Sequence, residues 1–363
     1  MIRKFCAAIT LAATVVTGAA AQERVVNVYN WSDYIDPQVL DNFTKETGIK
    51  VVYDTYDNNE IVETKLLTGN SGYDIVVPTG PFLQRMSQAN IFLRLDKTRL
   101  PNIKNEWPEI MQRIAAYDPG NEHAINYMWG TTGIGINVKK VRERLGPDQP
   151  LNTWELLMNP EISAKLKDCG IYVLDSAEDV FPGILNYVGA KPDSKAAEDL
   201  QKAGDALMKV RGNIRKFHSS EYINALANGD ICMAVGYSGD ILQAKKRADE
   251  AKNGVEVAYY IPKEGALMWF DNISVPIDAP HPQEALEFIN YLLRPEVAAA
   301  NSNFVSYASG NLAAKELVKP EIRNNPGIYP DDETFKRLFT ATAFDQKSQR
   351  LLTRQWTRIK SGK

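Results

Sequence analysis

Aromatic rings and carboxylates recur together at the predicted ends of strands along this sequence. Strand-like runs end in WSDY at 31–34, in PTG at 78–80 and in GYSGD at 236–240, and a later extended run contains MWFD at 268–271. An ammonium group is attracted to the faces of Trp and Tyr rings, and when buried it needs carboxylate or hydroxyl oxygens to accept its protons. These residue types predict a binding site for an organic cation.

The candidate residues divide into aromatic, acidic and hydroxyl groups with different tasks. Rings would wall an aliphatic stem, acids would hold ammonium groups at its two ends, and hydroxyls would add polar contacts. No Arg or Lys stands among them, although an amino-acid or sugar-acid ligand would need one for its carboxylate. The set comprises Trp31, Tyr34, Tyr237, Trp269 and Tyr307, then Asp33, Asp179, Asp240 and Asp271, then Ser32 and Thr79, with Asp175, Glu178 and Phe270 as further candidates.

Catalysis is the competing interpretation, and the sequence offers it little. Ser219 and Ser220 lack the G-x-S-x-G context of a hydrolase nucleophile and are typical of a helix N-cap. The adjacent Glu178 and Asp179 would suit a glycosidase only if sugar-binding groups faced them. No metal-ligand spacing surrounds the three histidines, which are His123, His218 and His281. We therefore predict a binding protein, with no enzyme activity, metal or cofactor, and keep a secreted hydrolase as the remote alternative.

The N-terminus has the pattern of an export signal. Arg3 and Lys4 precede a mostly apolar stretch at 5–18, and three alanines at 19–21 stand before Gln22. This order predicts a cleaved signal peptide at 1–21, since the apolar run is short for the alternative, a membrane anchor. Without it the chain has 40 basic and 45 acidic residues, a mildly acidic balance without the basic tract of a nucleic-acid-binding protein.

Two cysteines remain after export, Cys169 and Cys232, because Cys6 leaves with the signal peptide. An even pair in an oxidising compartment favours a disulfide bond. Two buried free thiols are the alternative that the residues leave open.

Strand and helix patterns alternate in a way that predicts two α/β lobes. Strands at 25–31, 50–56 and 73–80 alternate with helices at 36–48, 58–70 and 81–92, which predicts a parallel sheet covered by helices. A glycine- and threonine-rich extended run at 128–137 would cross to a second lobe, and strands within 255–276 would return. The predicted division is 22–132 and 258–315 for the first lobe, 133–257 for the second, and 316–363 for a C-terminal helical segment packed mainly on the second lobe.

Long motifs give the chain a family resemblance. It resembles the periplasmic polyamine-binding proteins of bacterial ABC importers, in particular the putrescine-binding branch, over essentially the whole mature chain. The resemblance implies a type II periplasmic binding protein fold, two α/β lobes joined by two extended hinge crossings, that closes over putrescine or, as second choice, spermidine. The motifs include VYNWSDYI, YDIVVPTGPFL, YMWGTTGIGIN, NIRKFHSSEYINALANGD and NPGIYP.

The resemblance also implies partners and location. The protein would be a periplasmic monomer that delivers its ligand to an inner-membrane ABC permease. Binding of another organic cation, or service to a chemoreceptor, are the alternatives that the motifs leave open. In the family pattern Cys169 and Cys232 are bonded.

Individual roles are carried over by the same resemblance. Asp240 and Asp271 would hold one ammonium, while Asp33 and Asp179 would reach the other, assisted by Ser32 and Thr79. The aromatic candidates would box the aliphatic stem. The sequence departs from the putrescine pattern at several of these sites. The family's tryptophan, glutamate, two serines and phenylalanine are replaced by Tyr237, Asp179, Thr79, Pro81 and Trp269.

Overall fold

The computed structural model describes residues 24–363. The predicted signal peptide and Cys6 lie outside the described residues. Within the described range, no helix combines the length and the apolar character that crossing a bilayer requires.

Strands and helices alternate along most of the chain. The strands are β1 Val25–Trp31, β2 Lys50–Tyr56, β3 Ile75–Val76, β4 Ala124–Asn137, β5 Ile171–Val173, β6 Lys216–Phe217, β7 Met233–Tyr237, β8 Val257–Tyr260, β9 Ala266–Ser274, β10 Ala308–Ser309 and β11 Leu338–Phe339. The α-helices are α1 Pro37–Thr47, α2 Asn59–Thr68, α3 Gly80–Gln88, α4 Pro108–Ile114, α5 Val138–Leu145, α6 Glu155–Met158, α7 Pro160–Leu166, α8 Ala177–Tyr187, α9 Ala197–Val210, α10 Tyr222–Ala227, α11 Ser238–Ala251, α12 Pro282–Leu292, α13 Pro295–Val305, α14 Pro320–Arg323, α15 Asp332–Lys336 and α16 Gln346–Ser361.

The first lobe has the predicted βαβαβ order. β1 pairs in parallel with β2 and with β3, as expected when helices make the crossovers. Helix α1 begins after Asp36, whose side chain accepts a hydrogen bond from the Gln38 N–H, and ends at Gly48 with φ 70°. Only glycine adopts that conformation without steric cost, so these local signals place the helix where the sequence predicted it.

One continuous sheet runs through both lobes because β4 is shared between them. In its first part β4 pairs antiparallel with β9, from Ala124 to Thr132. From Thr132 to Ile136 it pairs with β7. The predicted crossing at 128–137 is therefore the second part of a buried 14-residue strand. At Gly130 an added Cβ would lie 2.7 Å from the Trp269 ring, so the missing side chain makes room for that ring.

The second lobe contains parallel strands β6, β5 and β7 in that spatial order. The Cys169–Cys232 disulfide is present, with a Cα–Cα distance of 5.4 Å, and it joins the residues that precede β5 and β7. Helix α8 follows β5 and has Glu178 and Asp179 in its first turn. The strand pattern alone did not predict this helix.

Two features of the structure bear on the predicted division into lobes. β8, expected to return to the first lobe from residue 258, pairs with 134–137 of β4 and so belongs with the second lobe. The return crossing is β9. The C-terminal segment also divides between the lobes. Val318 packs with Ala298 and Ala299 of α13 on the first lobe, whereas Trp356 of α16 packs edge-on against Phe181 and Phe217 of the second.

Candidate ligand-binding cleft

A cleft with an empty volume of ≈ 470 Å³ lies between the lobes. Of the predicted residues, all line it except Asp33 and the three further candidates Asp175, Glu178 and Phe270. The lining consists of Trp31, Ser32, Tyr34, Tyr56, Asp57, Thr79, Asp179, Ser219, Ser220, Ile223, Tyr237, Asp240, Trp269, Asp271 and Tyr307.

Asp271 is a buried carboxylate on β9, with its residue 4% exposed. The Thr79 hydroxyl donates to Oδ1 at 2.7 Å and the Tyr34 hydroxyl donates to Oδ2 at 2.8 Å. The Asn59 side-chain amide donates to the Thr79 oxygen at 3.0 Å, which orients the threonine hydroxyl toward the acid. Each carboxylate oxygen keeps further lone pairs for a ligand N–H.

Asp240 lies in the first turn of α11 and has a similar arrangement. Its Oδ1 accepts from the Tyr307 hydroxyl and its Oδ2 from the Tyr222 hydroxyl, both at 2.7 Å. Tyr222 also accepts from the Tyr237 backbone N–H at 3.1 Å. The sequence did not predict Tyr222, although it stands in the HSSEY segment beside Ser219 and Ser220.

Asp179 is the third acid of the cleft. It is contributed by the first turn of α8, and its Oδ2 accepts from the Tyr237 hydroxyl at 2.7 Å. Asp57 lies just after β2 and also lines the cleft. The sequence missed Asp57 even though it stands at a strand end, the criterion that identified the other acids.

Aromatic rings connect the acids. Trp269 packs nearly perpendicular to Tyr237 and Tyr307, with ring centroids 5.5 and 5.4 Å away. Tyr34 packs edge-on against Tyr307 at 5.1 Å, and Trp31 meets Tyr237 across the lobes at 6.3 Å. Edge-to-face contacts fix ring orientation, so the rings that line the cleft hold one another in place.

The cleft is strongly electronegative, since no Lys, Arg or His is among the described residues that line it. Burial raises the pKa of Asp271 to about 7, and hydrogen bonds from Thr79 and Tyr34 offset only part of the effect. Burial likewise raises the pKa of Asp240 to about 6, and it raises the pKa of Asp179. A bound cation would lower all three pKa values by stabilising the ionised form.

Asp33 is the one acid of the predicted binding set that does not line the cleft. Its backbone is left-handed, with φ 56°. The carboxylate pairs with Arg247 of α11 at 2.8 Å, and its backbone carbonyl accepts from the Gln243 side chain at 3.3 Å. Asp33 thus joins the two lobes at the rim of the cleft.

The further candidates also have partners outside the cleft. Glu178 pairs across the lobes with Arg85 at 3.2 Å. Asp175 accepts from Lys360 at 2.6 Å and from the Trp356 indole N–H at 3.0 Å. Phe270 is fully buried in the core. None of the three lines the cleft.

Comparison with known proteins identifies the class. The family model for bacterial extracellular solute-binding proteins matches residues 38–330. The chain is 52% identical to the putrescine-binding periplasmic protein SpuD of Pseudomonas aeruginosa, covering 98% of this chain and 97% of that protein. It is also 52% identical to the putrescine-binding periplasmic protein PotF of Escherichia coli, covering 95% and 93%.

A solved structure described as a putative spermidine/putrescine ABC transporter from Listeria monocytogenes superposes with a TM-score of 0.83 at 33% identity, covering 94% of this chain and all of that one. The chain therefore belongs to the bacterial extracellular solute-binding protein family and has the type II periplasmic binding protein fold. Within the family it falls in the putrescine-binding branch of the periplasmic polyamine-binding proteins, as its motifs predicted. The predicted periplasmic location is confirmed by the same relatives.

Proposed function

We propose that the protein captures a polyamine in this cleft, putrescine first and spermidine second, and delivers it to an ABC permease of the inner membrane. The observation that carries the proposal is a cleft with four carboxylates and six aromatic side chains and, among the described residues that line it, no basic side chain. A buried ammonium is costly unless acceptors surround it, and here the acceptors are themselves held in place by hydroxyl donors.

The acids suit a ligand that is charged at both ends. Asp240 and Asp271 would share one ammonium, and Asp179 with Asp57 and Ser32 would receive the other. Rings between them would cover the methylene stem, whose burial contributes about 0.8 kcal/mol per CH₂. A neutral or anionic ligand would leave the buried carboxylates without a partner.

A neighbouring cavity supports spermidine as the second candidate. Its empty volume is ≈ 310 Å³, and it shares Thr79, Asp179 and Trp269 with the cleft. Pro81 and Tyr117 extend it beyond Asp179. A longer polyamine would reach toward this cavity past Asp179, and the cavity's side chains would have to move apart to admit it.

Capture would proceed by closure of the two lobes. Asp271 and Trp269 come from β9, whereas Asp179, Tyr237 and Asp240 come from the second lobe, so a ligand can touch both sets only in the closed state. The ligand would shift the population toward the closed state, to an extent set by the difference between its affinities for the closed and the open state. We propose that the first lobe comprises residues 22–132 together with the segment from β9 to residue 315. The second lobe comprises the segment from residue 133 to the end of β8. We also propose that the protein acts as a monomer, binds no nucleic acid and catalyses no reaction.

Calorimetric titration tests the proposal. The mature protein would be stripped of ligand by unfolding and refolding, then titrated with putrescine, spermidine and 4-aminobutyrate. The last compound keeps one ammonium and replaces the other with a carboxylate, so it is a matched control. We expect tight binding of a polyamine, a negative heat-capacity change and no heat from 4-aminobutyrate. If neither putrescine nor spermidine binds, the proposal is refuted.

A further inference from the structure

A second buried cavity lies in the first lobe, next to the β4–β9 pair and away from the cleft. Its empty volume is ≈ 290 Å³, and its polar lining consists of Glu106, Asn126, Tyr127, Ser309 and Asn311. The remaining lining is aliphatic side chains and Met128. No sequence pattern singles out Glu106, which stands just before α4.

Glu106 is a buried acid without a basic partner. Its residue is 8% exposed, and neither carboxylate oxygen meets the geometry of a hydrogen bond with a described residue, although the Asn126 backbone N–H lies near enough to offset part of the rise in its pKa. The Asn126 side-chain oxygen in the same cavity is also unpartnered. No Lys, Arg or His belongs to the described lining, and the Tyr127 hydroxyl already donates to the Tyr34 carbonyl at 2.7 Å.

A lone ionised carboxylate in such surroundings is strongly disfavoured, and the group takes up a proton instead. Burial accordingly raises the pKa of Glu106 well above its ordinary value. The resulting O–H needs an acceptor, and the Asn126 side-chain oxygen is the unpartnered one in the cavity. A proton on Glu106, donated to that oxygen, would give both groups a partner.

Asn126 leads from this cavity to the cleft. Its side-chain amide N–H₂ donates to the Asp271 carbonyl at 3.0 Å and to the Met128 carbonyl at 3.2 Å. These bonds hold the irregularity between Asn126 and Met128, where the register with β9 shifts opposite Asp271. Gly310 packs on the same amide, since a Cβ there would lie 2.2 Å from the Asn126 oxygen.

We propose that Glu106 is a positioning residue for polyamine binding, which as a neutral acid donates to the Asn126 oxygen and so fixes the amide that holds the backbone of Asp271. This rests on the proposed function, because it assigns Asp271 to the ligand. An ionised Glu106 would instead attract the amide N–H₂, the amide would turn over, and its bonds to the Asp271 carbonyl of β9 and to the Met128 carbonyl of β4 would be lost. A neutral Glu106 favours the amide orientation that the hydrogen bonds show.

Two substitutions separate positioning from packing. Glu106→Gln keeps the shape and an N–H donor, whereas Glu106→Met keeps the volume and removes the donor. Putrescine and spermidine would be titrated into both, and thermal unfolding of the ligand-free proteins would be recorded. Glu109→Gln and Glu109→Met, at an exposed position on α4, are the matched controls.

We expect Glu106→Met to weaken polyamine affinity about tenfold, in line with the loss of one buried hydrogen bond, and Glu106→Gln to restore it. A Glu106→Met protein with a lower unfolding temperature and unchanged affinity would overturn the positioning role. A wild-type protein that binds no polyamine would instead overturn the proposed function. If Glu106→Met does not fold, the Glu106→Gln protein decides. Retained polyamine affinity in Glu106→Gln would support the proposal, and lost affinity would overturn it.

Infrared difference spectroscopy tests the protonation directly and without ligand. Wild type minus Glu106→Gln should show the carbonyl band of a protonated carboxylic acid, at a pH above the value of about 7 to which burial raises the pKa of Asp271. A carboxylate band in its place would mean that Glu106 is ionised, and the proposal would fail.

Discussion

Replacing Asp271 with asparagine should change stability and binding in opposite directions. In the ligand-free protein Asp271 is a buried acid beside the other acids of the cleft, and Asp179 and Asp240 add to its raised pKa. It is stabilised by two hydroxyl donors but by no cation among the described lining residues. Asp271→Asn removes the charge and keeps nearly the same shape.

The effect on stability follows from the pKa of Asp271, which burial raises from 3.8 to about 7. The unfolded chain releases this proton at lower pH than the folded chain, so stability is lost as the pH rises from the unfolded to the folded pKa. The full loss, reached above the folded value, is about 4 kcal/mol. Asparagine has no charge and so avoids this loss of stability. Its single side-chain oxygen accepts from only one of the two hydroxyl donors, which costs about 1–3 kcal/mol. We expect a net gain of about 1–3 kcal/mol at pH values above 7.

The effect on binding has the opposite sign because the ligand supplies the missing cation. Two unit charges at contact distance interact by about 4 kcal/mol at an effective dielectric constant near 20. Part of this is offset because asparagine removes the desolvation of the acid. A loss of about 2 kcal/mol, or roughly 30-fold in polyamine affinity, is the expected remainder.

Denaturant unfolding of ligand-free wild type and Asp271→Asn, at several pH values, checks the first expectation, and titration calorimetry checks the second. Asp41→Asn, at an exposed position on α1, should leave both quantities unchanged. The stability difference should shrink as the pH falls below the folded pKa of Asp271, because wild type is then neutral too. A variant that is less stable than wild type at every pH, or that binds polyamine equally well, would refute the reasoning.

Three further expectations concern other parts of the molecule. Arg247→Met breaks the ion pair with Asp33 at the rim and should weaken polyamine affinity by up to about fivefold, because exposed pairs contribute 0–1 kcal/mol. The loss should be smaller in high salt. If the variant and wild type bind polyamine equally well at low salt and at high salt, the ion pair has no part in closure. Trp269→Phe should shift the spermidine-to-putrescine affinity ratio toward putrescine, and an unchanged ratio would show that this ring does not select. Cys169→Ser with Cys232→Ser should lower unfolding stability by about 2–5 kcal/mol with binding retained in the folded protein; an unchanged unfolding midpoint would contradict it.

Sequence reasoning located most of the cleft because strand ends follow from short-range patterns. Asp240 and Asp271 stand where apolar runs become polar, and the carboxyl ends of strands in an α/β protein meet at the ligand. The same rule also selected Asp33, which does not line the cleft and whose left-handed backbone no periodicity records.

Other features needed the third dimension. Tyr222 has the pattern of a helix core residue, and only its contact with Asp240 reveals its role. Helix α8 was obscured by Pro182 and by its nearly continuous apolar sequence. β8 has an ordinary strand pattern, which says nothing about which part of β4 it pairs with.

The shared strand pair has a consequence for the route by which a ligand leaves. Trp269 and Asp271 lie on β9, which together with β4 forms the axis about which the lobes would turn. Asp179 and Tyr237 lie off this axis and would travel furthest when the cleft opens. If the cleft holds a diamine as proposed, opening would free its Asp179 end first and its Asp271 end last.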